Sequence, residues 1–147
     1  MANEAKAVAK ATRDGEIPYR SSTFEYTLTW NGDNVTRMDF VYSYTYEDET
    51  EVEEGIITYT YDNKHNPMQG FIYYEKLYWE YWNTWNNIMF SANNVLTSTE
   101  LWLTSGDYEN RIYHYTYDGD GYPTDYSYQR DTNDDHETEA FRITYVK

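Results

Sequence analysis

Cysteine is absent from the 147 residues. That excludes a disulfide framework, thiolate chemistry and a cysteine–histidine nucleophile; it does not identify a compartment. Cationic side chains are scarce: 11 Lys and Arg stand against 26 Asp and Glu, a net charge of −15. Such a chain repels phosphate backbones and anionic membrane surfaces, so neither nucleic acid nor an anionic bilayer is an expected partner. A basic partner or a cation fits the charge. No unbroken apolar run approaches the roughly 20 residues of a membrane helix, so no membrane span is expected. The opening "MANEAKAVAK" lacks the apolar stretch of a signal peptide. Either the protein is intracellular or a targeting segment is missing from this chain, and cytoplasmic location stays open. Phosphate-binding loops and nucleophile elbows are also missing.

The mean hydropathy of −0.96 taken alone suggests disorder. Aromatic content of 20% argues the opposite, because disordered chains are poor in aromatics. The 19 tyrosines and 5 tryptophans resolve the conflict. Each buries a large ring while keeping a polar tip in water, so hydropathy undercounts the core. The length suits one domain.

Residues 1–22 read as an N-terminal linker or short helix, from the Ala/Lys/Glu stretch 3–12 followed by Gly15 and Pro18. Residues 23–147 read as a single antiparallel β domain. There the period is two: "TFEYTLTW" puts Phe24, Tyr26, Leu28 and Trp30 on one face. "NGDN" signals a tight hairpin. "VTRMDFVYSYTY" aligns Met38, Phe40, Tyr42, Tyr44 and Tyr46, and its length suggests a twist or a bulge. "EDETEVEE" (47–54) reads as a solvated acidic loop or hairpin tip, and "RDTNDDHETE" (130–139) as a second acidic loop. Pro67 should end the strand begun by "GIITYTYD". Later strands align Tyr113, Tyr115 and Tyr117, then Tyr122, Tyr126 and Tyr128, then Phe141, Ile143 and Tyr145. Residues 71–90 break the pattern; their aromatic spacing suggests a short helix or irregular loop insertion. The fold class is therefore all-β: a twisted single antiparallel meander of about seven to nine strands that can curl toward a half-barrel.

"YTLTWNGDNVTRMDF", "YTYDNKHNPMQGF" and "YTYDGDGYPTDYSY" repeat one plan: a strand end, an Asp/Asn/Gly turn and a return strand. "YTYDGDGYPT" resembles the Tyr-Asp repeat unit of wall-associated and Rhs-type bacterial surface proteins. With "YTYDNKHNP" and "FSANNV", it resembles a group of secreted Bacteroidetes lipoproteins over roughly residues 24–147. Their shared domain has unknown function and a porin-like β-meander fold. The resemblance implies an exported protein at the cell envelope or outside the cell, and it carries over no catalytic residue. The chain departs from that group in lacking a signal peptide and a lipid-attachment cysteine.

Asp118, Asp120 and Asp125 invite a calcium reading. The EF-hand pattern then fails at Tyr122, Pro123 and Gln129, and the stretch reads better as a hairpin turn. His65, His114 and His136 have no metal-ligand spacing. No metal and no cofactor is therefore expected. Among the many carboxylates, Glu75 and Glu80 beside the aromatic segment are the first suspects for a hydrolase pair, but nothing in the sequence brings two carboxyl groups together. Non-enzymatic function is the expectation. The cluster of Tyr73, Tyr74, Tyr78, Trp79, Tyr81, Trp82 and Trp85 is the most unusual feature. Exposed rings there suit sugar stacking or a protein hot spot. The leading reading is a binding module for glycan or protein, using Tyr78, Trp79, Trp82 and Trp85. The alternative is an acidic inhibitor or immunity-type protein that binds a basic protein. The oligomeric state is open, and exposed edge strands permit a dimer.

Overall fold

The structure, a computed structural model, describes residues 3–13, 20–46, 49–67, 69 and 91–145, with side chains from residue 23 onward apart from Tyr46. Eight strands run β1 (Asn3–Arg13), β2 (Arg20–Asn31), β3 (Asn34–Tyr46), β4 (Glu49–His65), β5 (Asn93–Trp102), β6 (Tyr108–Tyr117), β7 (Pro123–Thr132) and β8 (His136–Arg142). They form one open sheet in sequence order, each strand antiparallel to the next. The all-β meander expected from the alternation is the observed fold.

Cross-strand pairing carries one face through the whole sheet. Leu28 pairs with Met38, Met38 with Ile57, Ile57 with Glu100 and Glu100 with Glu109. On this inner face Leu28, Val35, Met38, Phe40, Ile57, Tyr59, Val95 and Tyr113 form one buried cluster. The outer face is rich in threonine, whose branched side chain suits a pleated surface. Thr60 and Thr97 meet there across β4 and β5, with their hydroxyls 2.6 Å apart.

Turn chemistry sets the register. Asn31 pairs with Asn34, so Gly32 and Asp33 make the turn, and Gly32 has the positive φ of 61° that a tight hairpin needs. The expected bulge in the long β3 lies at Thr36, between the pairs Thr29–Arg37 and Trp30–Val35. Residues 91–94 then clamp this turn to β4. Ser91 Oγ accepts the Val35 amide (3.0 Å) and donates to the Tyr61 hydroxyl (2.9 Å), which in turn donates to the Val35 carbonyl. The Asn34 side-chain amide donates to Asn93 Oδ1, Asn34 Oδ1 accepts the Asn93 backbone amide, and the Asn66 side chain donates to the Ser91 carbonyl.

Four expectations meet a different outcome. Asn3–Arg13 is not a linker or helix but an edge strand, paired residue for residue with β2. The open edge of β2 offers eleven partners and overrides local helix propensity; the register places Ala5, Ala7 and Ala9 opposite Leu28, Tyr26 and Phe24. The acidic tract is strand from Glu49 onward, because β3 supplies a partner edge while the carboxylates stay exposed. The second acidic loop contracts to residues 133–135, and β8 begins at His136. At the chain's end β8 stops at Arg142, so Ile143 and Tyr145 follow the strand rather than lie in it. The segment 71–90, including Tyr78, Trp79, Trp82 and Trp85, lies outside the described residues.

Candidate functional site

The sequence places aromatics at alternate positions in the second half of β6 (Tyr113, Tyr115, Tyr117), at two positions of β7 (Tyr126, Tyr128) and once in β8 (Phe141). The register brings these rings into rows: Tyr113 opposite Tyr128, and Tyr115 opposite Tyr126, which is opposite Phe141. Tyr115 and Tyr126 stack with centroids 6.0 Å apart, and Tyr126 and Phe141 at 4.8 Å with planes 16° apart. Phe141 also stacks against Tyr128 at 6.2 Å. Centroid spacing close to the inter-strand distance, with near-parallel planes, means the rings stand upright on the sheet, face against face. Interior rings therefore offer edges and hydroxyls, and only the last ring offers a face.

Burial falls along this ladder. Tyr113 is 6% exposed and belongs to the core, whereas Phe141 is 39% exposed. The outer face of the Phe141 ring has no aromatic neighbour among the described residues, because β8 is the edge of the sheet.

A charged web flanks the ladder on the same face. Arg111 and Arg130 are directly opposite each other, a like-charge pairing that Glu109 offsets. Glu109 lies 2.6 Å from the Arg111 guanidinium and 3.8 Å from that of Arg130. Arg130 also reaches Asp135 and Glu137, each at 3.3 Å. The Arg111 guanidinium sits 5.9 Å over the Tyr128 ring. The Tyr128 hydroxyl donates to Glu139 at 2.8 Å, which fixes a carboxylate at the sheet edge. Burial pushes the Tyr126 and Tyr128 hydroxyls up to about 12, so both are neutral donors at pH 7.

The other end of the ladder is anchored by Asp62. Its carboxylate accepts the backbone amides of Lys64 (2.9 Å) and Asn94 (3.0 Å), the Asn94 side-chain amide and the Tyr117 hydroxyl. Burial, then the bond to Asp62, raises the Tyr117 hydroxyl above its ordinary range. Asp62 is thus a saturated structural acceptor.

The other residues singled out by sequence are scattered. Asp118 Oδ1 accepts the amides of Asp120 (3.0 Å) and Tyr122 (2.9 Å), so this carboxylate shapes the hairpin. Asp125 turns to the outer face, where bonds from Thr116 and Arg142 hold its carboxyl below the usual range. His65 stacks on Tyr122, His136 lies 2.6 Å from Asp131, and His114 is exposed on the outer face. Among the described residues no group of three or more His, Asp or Glu side chains is placed to hold a metal ion. No described helix is long and apolar enough to cross a membrane. The sequence aligned Phe141 with Ile143 and Tyr145 on one face of the last strand. Its place at the end of a ring ladder was not legible, since that depends on the β7–β8 register. No family model, curated protein or solved structure matches the chain.

Proposed function

We propose that this chain is a non-catalytic binding module of the cell envelope or the extracellular space, and that its ligand is a protein segment held at the open end of the β6–β8 ladder. One observation carries the reading: the column of stacked rings stops at Phe141, half-exposed on the edge strand. Upright rings suit a side chain that continues the column better than a sugar that needs a broad flat platform. The net charge of −15 and the carboxylates of Glu137 and Glu139 favour a basic partner. In that respect the binding module and the acidic inhibitor share one surface. The envelope location rests on the resemblance carried by the two YTYD hairpins.

Photocrosslinking from position 141 tests the reading. A benzoylphenylalanine at Phe141 should give a discrete protein adduct with envelope or extracellular material, weakened by salt. The same group at outer-face Thr99 should not. Equal adducts from both positions, or glycan binding that survives Phe141→Ala, would overturn it.

A further inference from the structure

The edge of β8 has a defined hydrogen-bonding polarity. The Ile143 amide donates to the Thr124 carbonyl of the β7 side at 2.8 Å. Its register continues the pairs Arg142–Asp125 and Phe141–Tyr126. Antiparallel ladders alternate hydrogen-bonded with non-hydrogen-bonded pairs. The amides of Glu137, Glu139 and Phe141 therefore face β7, while those of Thr138, Ala140 and Arg142 face outward. Among the described residues no strand pairs with that outward edge. On the inner face the same strand presents Glu137, Glu139 and the open ring of Phe141.

Resting on the protein-segment reading above, we propose that the partner is an extended basic–aromatic peptide that adds antiparallel to β8 as a ninth strand. Its main chain meets the outward amides and carbonyls of Thr138 and Ala140. Its alternate side chains fall opposite Phe141, Glu139 and Glu137, so they are an aromatic followed by two cations at every second residue. The aromatic extends the Tyr115–Tyr126–Phe141 column by one rung. One cation meets Glu139, which the neutral Tyr128 hydroxyl holds in place, and the other shares Glu137 with Arg130, opposite-charge pairs across strands being favourable. A second copy of this chain suits the edge poorly. Pairing about Thr138 or Glu139 sets carboxylate against carboxylate, and each chain carries a net charge of −15.

The probe is the fluorescein-labelled heptapeptide Ser-Tyr-Thr-Lys-Thr-Lys-Ser, titrated with the full chain by anisotropy. It should bind in the micromolar range, several-fold more weakly at 300 mM than at 50 mM salt, and the version with glutamate for lysine should not bind. N-methylation of its two threonines, whose amides face β8, should weaken binding at least tenfold. N-methylation of the two lysines, whose amides face away, should leave it within about twofold. Ala140→Pro removes an outward amide hydrogen without touching a β7 bond. It should lose binding at least tenfold with an unchanged far-ultraviolet spectrum and melting temperature. No binding by the parent peptide, or equal binding by both methylated forms, overturns the ninth strand. Loss on Phe141→Ala with both methylated forms still bound overturns strand addition but leaves the ladder-end surface standing. A concentration-dependent dimer through β8 in sedimentation overturns the peptide as occupant.

Discussion

Gly55 lies in β4 opposite Phe40, and its replacement by alanine isolates one packing interaction. Its φ is not positive, so alanine faces no backbone strain there. The obstacle is space. A Cβ would stand 2.2 Å from Phe40 Cζ, 2.6 Å from Phe40 Cε1 and 2.9 Å from the Leu101 carbonyl oxygen. Ordinary carbon contacts lie at about 3.5–4.0 Å, so the ring must withdraw by more than about 1 Å. It has nowhere to go. Phe40 is 4% exposed, stacked on Phe24 at 5.6 Å and edge-on to Trp102 at 4.9 Å. Leu101 contributes backbone of the neighbouring strand, which cannot swing aside. Overpacking of this kind costs about 1–3 kcal/mol. Against it stands a gain of about 0.5–1 kcal/mol from the smaller unfolded-state entropy of alanine. The clash wins, with a net loss of about 1–2 kcal/mol, and each kcal/mol lowers the melting temperature by roughly 2–4 °C at this size. Urea unfolding followed by tryptophan fluorescence reads it as a lower midpoint with an unchanged slope. Phe40→Leu in the same background should recover part of the loss, because the new methyl fills space that the shorter side chain vacates. The two changes should then be non-additive by about 1 kcal/mol. A Gly55→Ala protein as stable as the parent, or strict additivity, refutes the close approach of Phe40 as the reason for glycine.

Three further outcomes follow from the polar anchors. Asp62→Ala removes the acceptor of the Lys64 and Asn94 backbone amides and one of the two bonds of the Asn94 side-chain amide, and should cost about 2–4 kcal/mol in urea unfolding, whereas Tyr117→Phe, which removes one of the donors, should cost about 1 kcal/mol. Ser91→Ala removes the acceptor of the Val35 amide and the donor to Tyr61, so a loss of about 1–3 kcal/mol is expected by the same measurement. Alkaline pH should unfold the protein, because burial holds Tyr61, Tyr126 and Tyr128 at about 12 against 10.0 for the free side chain and raises Tyr115 and Tyr117 as well. A raised folded value favours the neutral form, so this stability is whole below about pH 10 and is lost as pH climbs through about 12; tyrosinate absorbance at these positions should appear together with loss of the strand signal, and smooth titration of all 19 tyrosines near pH 10 in a folded chain contradicts it.

The alternation of aromatic and threonine residues made the sheet and its inner face legible, since period two is a local signal. Turn chemistry was equally local: "NG" at 31–32 and "DGDG" at 118–121 both reverse the chain. What escaped was set by pairing. Asn3–Arg13 looks helical by propensity and becomes a strand only because β2 has a free edge. The acidic stretches look like loops by charge and become strand because a partner strand extends beside them. The candidate site escaped for the same reason. The densest aromatic run in the sequence is 71–90, whereas the ladder is assembled from rings spread over three strands, and its open end exists only where the sheet stops.

The rings run from Tyr113 of β6, inside the buried cluster, to Phe141 of β8, at the sheet edge, so stability and the proposed binding should respond to different substitutions. Tyr113 is 6% exposed and packs on Tyr115 and Tyr128 inside the buried cluster. Its replacement by alanine opens a cavity and should cost about 3–5 kcal/mol. Phe141 is 39% exposed and rests on Tyr126 and Tyr128 by one face only. Truncating it forfeits the stacking of an exposed ring, about 0.5–1.5 kcal/mol, together with limited area. Phe141→Ala should therefore remain folded at 25 °C with a midpoint close to the parent while losing partner binding. Tyr113→Ala should unfold far more readily, and whatever folded fraction survives should still bind. If Phe141→Ala destabilised the protein as much as Tyr113→Ala, the end of the column would be core, and a surface ligand could not be its purpose.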